Sequence, residues 1–487
     1  MICFDLQRVC SLPTGGWAQQ DCWARIQYPV VVYQKRDWAC HCYVKRLLSQ
    51  YAVSPLSCEN KDDLKGDKEV EVSIDEVRFK MPETGRSFDD LRSEMIERGG
   101  ADVRWREGKT AVYVFNAGED VTRVQKEAYT LYMSENGLGP AAFPSLKQME
   151  EEVVSMGLQL LHGPSGAVGH MTSGGTDSIT MAVKAARDYA RSKSLPEPFN
   201  LVMPYSAHPA FDKAAALMSL EIRRVPVTDD YLADVPAMGE QIDASTIMLV
   251  GSAPSFPYGL IDPIAQLSAL AVDRQVWLHV DACVGGYIAP FVRRNGAPIP
   301  DFDFALPGVL SMSADLHKYG YCAKGASTVF YRTATLRDFM IFDQRDWPAG
   351  RMVTPTLAGT RPGGAISSAW AVMNYLGVSG YQAKQGQVTQ ARAAIEAGVK
   401  QLGFDVIGEP LLGIVAFTRS DLDVFAVYRK LYERGWVTSL CTQPKALHLM
   451  LSPFHASVTE QYLSDLSESV QAVEAGATET VTEVRYS

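Results

Sequence analysis

At 487 residues, with 47% apolar and 21% charged residues, the chain is long enough for two or three domains and has the balance of a soluble globular protein. A formal net charge of -10 argues against general affinity for nucleic acid or an anionic membrane. No apolar run approaches the ~18 residues of a membrane span, and no basic stretch followed by an apolar one marks a secretory signal, so a cytoplasmic protein is expected.

Residues 1–80 hold neither helical nor strand periodicity, and Lys61 to Glu76 is a charged, linker-like run. They are expected to form a poorly ordered extension, with the ordered body starting near Met81. Six of the nine cysteines crowd this stretch (Cys3, Cys10, Cys22, Cys40, Cys42 and Cys58), while Cys283, Cys322 and Cys441 lie far apart. An odd, scattered set makes a poor disulfide framework and fits a reducing compartment. Cys40-His41-Cys42 lacks the spacing of a zinc knuckle, so no metal site is assigned.

Folding signals begin near Pro82. Ser87 to Arg98 has helical spacing, Ala111 to Phe115 reads as a strand, and Val121 to Glu135 reads as a helix. A breaker-rich loop from Asn136 to Pro144 follows, and then Ser145 and Gln148, spaced as a capping box, open an amphipathic helix. From Gly166 to about Arg332 short strands alternate with helices. The strands are expected at Ala167-Val168, Asn200–Met203, Arg223–Val225, Thr246–Val250, Val276–Val280, Val309–Met312 and Ser327–Arg332. This alternation predicts a mainly parallel sheet flanked by helices, with ligands at the carboxyl ends of its strands. Helices are expected over Ala365–Leu376 and Gln382–Leu402, and the remainder reads as a small C-terminal α+β domain with a second capping box at Ser457 and Glu460. The expected divisions are an extension over 1–80, a segment over 81–145 contributing to dimer and active site, a large domain over 146–376 and a small one over 377–487.

Three stretches carry chemistry. Thr172-Ser173-Gly174-Gly175-Thr176-Asp177-Ser178 lies between a strand and a long helix, where free backbone N–H groups and the helix dipole favour an anion. Taken alone, it serves equally as a tight turn. Asp281 ends a buried strand, which puts its carboxylate in the crevice at the sheet edge, where it can keep a pyridine nitrogen protonated or act as a structural cap. Lys318 sits in the polar loop between two strand-like runs, 37 residues beyond Asp281. A lysine there is costly to desolvate and usually has a task. The order of phosphate loop, aspartate and lysine along one α/β unit points to pyridoxal 5'-phosphate held by Lys318. His208, just after a strand, is placed to stack on an aromatic ring. His317 can donate to a phosphate, and Lys324 can meet a second anion or act as acid or base.

These stretches, with Gly251-Ser-Ala-Pro, His279-Val-Asp-Ala-Cys, Ser313-Ala-Asp-Leu-His-Lys-Tyr-Gly and Ala358-Gly-Thr-Arg-Pro-Gly, resemble the sphingosine-1-phosphate lyases of the pyridoxal-phosphate decarboxylase group, over about Pro82 to His455. The resemblance implies a type I aminotransferase-like fold and a homodimer with shared active sites. It implies that Lys318 carries the cofactor, Asp281 pairs with its ring nitrogen and His208 stacks on the ring. Ser173, Gly174, Gly175, Thr176 and His317 would hold the phosphate, with Gly359 and Thr360 from the partner subunit. Tyr113 and Lys324 would hold the substrate or assist catalysis. The implied reaction is retro-aldol cleavage of a phosphorylated sphingoid base to a long-chain aldehyde and phosphoethanolamine. An amino-acid decarboxylase on the same fold, or a weakly active cofactor-binding homologue, is the alternative. Two positions depart from the family: Gly139 replaces a histidine expected on the substrate phosphate, and Tyr258 stands where histidine is common.

Overall fold

The computed structural model describes residues 81–477, 479–481 and 484, so the expectations for residues 1–80, the Cys40-His41-Cys42 stretch included, lie outside the described residues. The chain divides after Gly100 into two units. In the first, the helix Phe88–Gly99 starts where expected: the Ser87 side chain accepts the Asp90 N–H at 3.1 Å, Asp89 and Asp90 suit the N-terminal dipole and Arg98 the C-terminal one.

In the second unit the strands that read as apolar runs form a seven-stranded sheet. They are β1 (Val168–Thr172), β2 (Asn200–Pro204), β3 (Glu221–Val225), β4 (Thr246–Ser252), β5 (Trp277–Asp281), β6 (Val309–Ala314) and β7 (Ser327–Tyr331), in the order β1-β7-β6-β5-β4-β2-β3. Strands β2 to β6 pair in parallel, and β7 alone runs antiparallel to its neighbours β6 and β1. Every residue of β4 and β5 is buried, which explains their continuous apolar character: helices cover both faces of a parallel sheet. The helix Gly175–Ser192 buries Ile179, Ala182, Val183, Ala186 and Ala190, a stripe of helical period, beneath the sheet. Among the described residues no helix is long and apolar enough to cross a membrane.

A hairpin of β8 (Phe342–Gln344) and β9 (Met352–Thr354), which was not foreseen, precedes a long helical element, Gly363–Gln401. Gly377 (φ 53°, ψ -172°) interrupts that element, in keeping with the two helices expected on either side. The C-terminal part is an antiparallel sheet of β10 (Asp405–Val406), β11 (Ile414–Thr418), β12 (Ser439–Thr442) and β13 (Lys445–Met450), in the order β10-β11-β13-β12. The helices Val424–Glu433 and Thr459–Glu474 accompany it.

Three local readings are corrected. Ala111–Phe115 is not a strand. Ala111 bonds to Val437 and Met450, but Tyr113 takes a left-handed φ of 63° and the chain turns away. Ser145 is not a cap, because Pro144, whose missing N–H suits the first helical position, starts the helix two residues earlier, with Phe143 as N-cap. Ser457 donates to the Phe454 carbonyl instead of capping. The capping box forms between Ser452 and His455, around a short 3-10 turn that opens with Pro453.

Candidate active site

Strands β1, β2, β4, β5 and β6 all point the same way, so the loops after them meet at one edge of the sheet. Those loops carry the Thr172–Ser178 stretch, His208, Tyr258, Asp281 and the Asp315–Lys318 stretch. Parallel topology is therefore what gathers residues 146 positions apart, from Thr172 to Lys318, at the ligand edge of the fold.

Lys318 Nζ lies 3.0 Å from Asp315 Oδ2, and His317 Nε2 lies 3.7 Å from the same oxygen. Asp315 is 2% exposed. Burial pushes its carboxyl upward, but Lys318 and then His317 outweigh burial and hold it below the usual carboxylate range. A Cβ on Gly175 would lie 2.9 Å from both Asp315 Oδ2 and Cys283 Sγ, so only glycine lets the start of the 18-residue helix Gly175–Ser192 approach this closely. A Cβ on Gly174 would lie 3.6 Å from His317 Cε1, which sets the imidazole against the loop. His317 Nδ1 is buried and has no hydrogen-bond partner among the described residues, and burial pushes the ring's pKa down. The loop is braced from behind. Ser173 donates its N–H and O–H to Asp177 Oδ2 at 3.0 Å each, and the Ser178 hydroxyl bridges Thr172 at 2.6 Å and Ser327 at 2.8 Å. Thr176 lies exposed in the first turn of the helix.

The Asp281 carboxylate accepts from the Cys283 N–H at 3.0 Å and the Ser313 hydroxyl at 3.1 Å. His208 accepts the Ala210 N–H on Nδ1 at 3.1 Å. Burial lowers its pKa, with Asp281 opposing and Lys318 assisting, so these groups share one electrostatic environment. Lys324 Nζ donates to the Tyr113 carbonyl at 2.9 Å and to the His317 carbonyl at 3.4 Å, and lies 5.3 Å from the Phe115 ring centre. Burial, then the nearby Lys318 charge, pushes Lys324 down to about 8, against the pull of Asp315. The contact between Lys324 and Tyr113 runs through the tyrosine's carbonyl, and the Tyr113 side chain is half exposed.

Gly359 and Thr360 are grouped elsewhere in the chain. Thr360 accepts from Asn136 at 3.3 Å, Gly359 lies beside Leu138 and Met352, and Arg361 pairs with Glu150. A cavity of about 520 Å³ opens there, walled by Asn136, Leu138, Lys147, Gly359 and Arg361 but not by Lys318.

Residues 101–420 match the family model for the pyridoxal-dependent decarboxylase conserved domain. The chain is 40% identical to the sphingosine-1-phosphate lyase of Oryza sativa subsp. japonica, over 82% of this chain and 75% of that protein. It is 36% identical to sphingosine-1-phosphate lyase 1 of Rattus norvegicus, over 86% of this chain and 74% of that one. The solved sphingosine-1-phosphate lyase of Burkholderia pseudomallei superposes with a TM-score of 0.78 at 36% identity, covering 81% of this chain and 92% of its own. The chain belongs to the sphingosine-1-phosphate lyase family. A solved Lactobacillus brevis glutamate decarboxylase, at 19% identity and a TM-score of 0.73, shares the fold.

The pyridoxal phosphate that this lyase family requires suits the residues present. The partnerless His317 Nδ1 and the glycine cradle at a helix N-terminus are donors arranged for an anion, and Lys318 is an amine at the same sheet edge. Asp315 was missed from sequence. Its one signal is a carboxylate three residues before the lysine, just beyond a buried strand. The two positions expected to depart from the family pattern, Gly139 and Tyr258, differ in kind. A Cβ on Gly139 would meet only Ala142 and Phe143, at 3.8 and 4.0 Å, so a side chain fits there. Tyr258 is buried, donates to the Gln443 carbonyl at 2.7 Å and packs on Tyr231, which ties the loop after β4 to the β12–β13 hairpin. Burial pushes its phenol up to about 12.

Proposed function

We propose that the protein is a pyridoxal-phosphate-dependent lyase that cleaves phosphorylated sphingoid bases of the sphingosine 1-phosphate type to a long-chain aldehyde and phosphoethanolamine. The observation that carries this reading is the meeting of Lys318, Asp281 and the Gly174-Gly175 loop at one sheet edge of a lyase-family chain. Lys318 would hold the cofactor through Nζ. Ser173, Gly174, Gly175, Thr176 and His317 would hold its phosphate, His208 would stack on its ring, and Asp281 would receive its ring N–H. When bound, the cofactor supplies a sink for the electron pair released as the Cα–Cβ bond of the substrate breaks.

Lys324 takes the proton of the substrate's 3-hydroxyl. Its two backbone acceptors use two N–H bonds, so the neutral amine has its lone pair available. The hydroxyl oxygen becomes the aldehyde oxygen as the carbon–carbon bond breaks. The Lys318 amine, at the same sheet edge, would return a proton to the remaining carbon. Tyr113, left-handed and half exposed beside Lys324, helps hold the substrate.

We further read the protein as a cytoplasmic homodimer with Gly359 and Thr360 reaching the partner's site. Exposed Phe342, Trp347, Val353 and Leu357 on the neighbouring hairpin and loop support the dimer. The free thiols of Cys283, Cys322 and Cys441 support a reducing compartment. The break at Gly377 supports a domain boundary between residues 376 and 377. The deciding assay incubates the protein with a phosphorylated sphingoid base and measures fatty aldehyde. Carbon dioxide released from an amino acid, with no aldehyde from the phosphorylated base, would replace this reading with a decarboxylase.

A further inference from the structure

Polar side chains on one face of β5 and β6 form a single buried series that ends on Asp281. Side chains alternate along a strand, so Trp277, His279 and Asp281 share one face of β5. Ser311 and Ser313 share a face of β6, and the register sets Ser311 opposite His279 and Ser313 opposite Asp281. Trp277, His279, Ser311 and Ser313 are each at most 2% exposed. The contacts run Trp277 Nε1 to Ser311 Oγ (2.7 Å), Ser311 Oγ to His279 Nδ1 (2.8 Å), His279 Nε2 to Ser313 Oγ (3.2 Å) and Ser313 Oγ to Asp281 Oδ1 (3.1 Å).

The two ends set every direction between them. An indole N–H only donates and a carboxylate only accepts. The Ser313 proton therefore goes to Asp281, and Ser313 Oγ takes the proton of His279 Nε2. Burial pushes His279 down to about 4, so the ring is neutral and Nδ1 accepts the Ser311 hydroxyl, which itself accepts from Trp277. The ring is also anchored edge-on to Phe211, with centroids 5.8 Å apart, on the helix that starts just after His208. Among the described residues, both hydrogen bonds to the Asp281 carboxylate fall on Oδ1. That restrains the carboxylate through one oxygen and leaves Oδ2 without a hydrogen bond among the described residues.

We propose that His279 is a positioning residue: its Nε2–H, relayed through the Ser313 hydroxyl, holds Asp281 in the orientation that receives the pyridine N–H of pyridoxal phosphate. This rests on the cofactor reading above. The test is the affinity of the apo-protein for pyridoxal phosphate, followed by quenching of tryptophan fluorescence, with each apo-protein's melting temperature as a control for folding. Ser313→Ala is expected to weaken binding about tenfold, the effect of losing one hydrogen bond to a charged acceptor. His279→Leu is expected to do the same, and the double variant no more than about the same tenfold, because both substitutions act through one bond. His279→Gln, whose amide can accept from Ser311 and donate to Ser313, is expected to restore affinity to within about threefold of wild type.

Folded Ser313→Ala with affinity within about twofold of wild type overturns the relay, as do losses that multiply in the double variant. If His279→Leu does not fold, Ser313→Ala and His279→Gln decide the matter. A wild-type protein that takes up no pyridoxal phosphate overturns the cofactor reading itself, whereas normal uptake with unaffected variants overturns only the relay.

Discussion

Lys324 and Lys318 are two amines at one site with different surroundings. Lys318 sits on the buried Asp315 carboxylate, while Lys324 faces two carbonyls and is pushed down to about 8. A lowered lysine pKa means that the neutral amine, the form able to act as a base, grows as pH rises through about 8. The rate on a phosphorylated sphingoid base is therefore expected to climb through about pH 8, where it is half-maximal, and to level off above it. Lys324→Arg, permanently charged, is expected to lose that climb, and a variant that keeps it would assign the base elsewhere. Lys318→Ala is expected to fold and to show no turnover in the aldehyde assay, and wild-type activity in that variant would end the lyase reading. Lys318 stood out in the sequence because a lysine between two buried strands is rare on energetic grounds. Asp315 did not, because a carboxylate near a strand end is common and only burial reveals that it has to be paired.

At the scale of elements, the turn after β5 decides where Asp281 is held. Gly285 in that turn comes so close to the loop after β4 that a Cβ would lie 1.9 Å from the Ala253 carbonyl oxygen. The obstacle is backbone, so no rotamer relieves it. Gly285→Ala is expected to lower stability by about 3 kcal/mol, the upper end for an overpacked site, as read by urea denaturation of the apo-protein. A loss under about 1 kcal/mol would mean that the turn yields without strain. The strands themselves were legible because each is a continuous apolar run and parallel sheets are covered on both faces. Ala111–Phe115 was misread for an instructive reason. Its residues have high strand propensity, yet contacts with Val437 and Met450 and the left-handed Tyr113 override that preference.

For the whole molecule, the reading of shared sites makes Lys318 and Thr360 act in different subunits. Two inactive variants, Lys318→Ala and one disrupting Gly359 and Thr360, are then expected to regain partial activity when refolded together, and no recovery would place both in one subunit's site. The sequence by itself determined the strands and helices of the large sheet and the cofactor class, and pointed to the residues proposed to hold it, because apolar periodicity and a loop–aspartate–lysine order are local and survive without coordinates. Only the tertiary structure decided that Asp315 lies under Lys318, that Lys324 meets the Tyr113 carbonyl, and that His279 and Ser313 stand behind Asp281. Each of these depends on strand register or on a turn joining residues far apart in the chain, and register is set by packing across the sheet, not by any one segment.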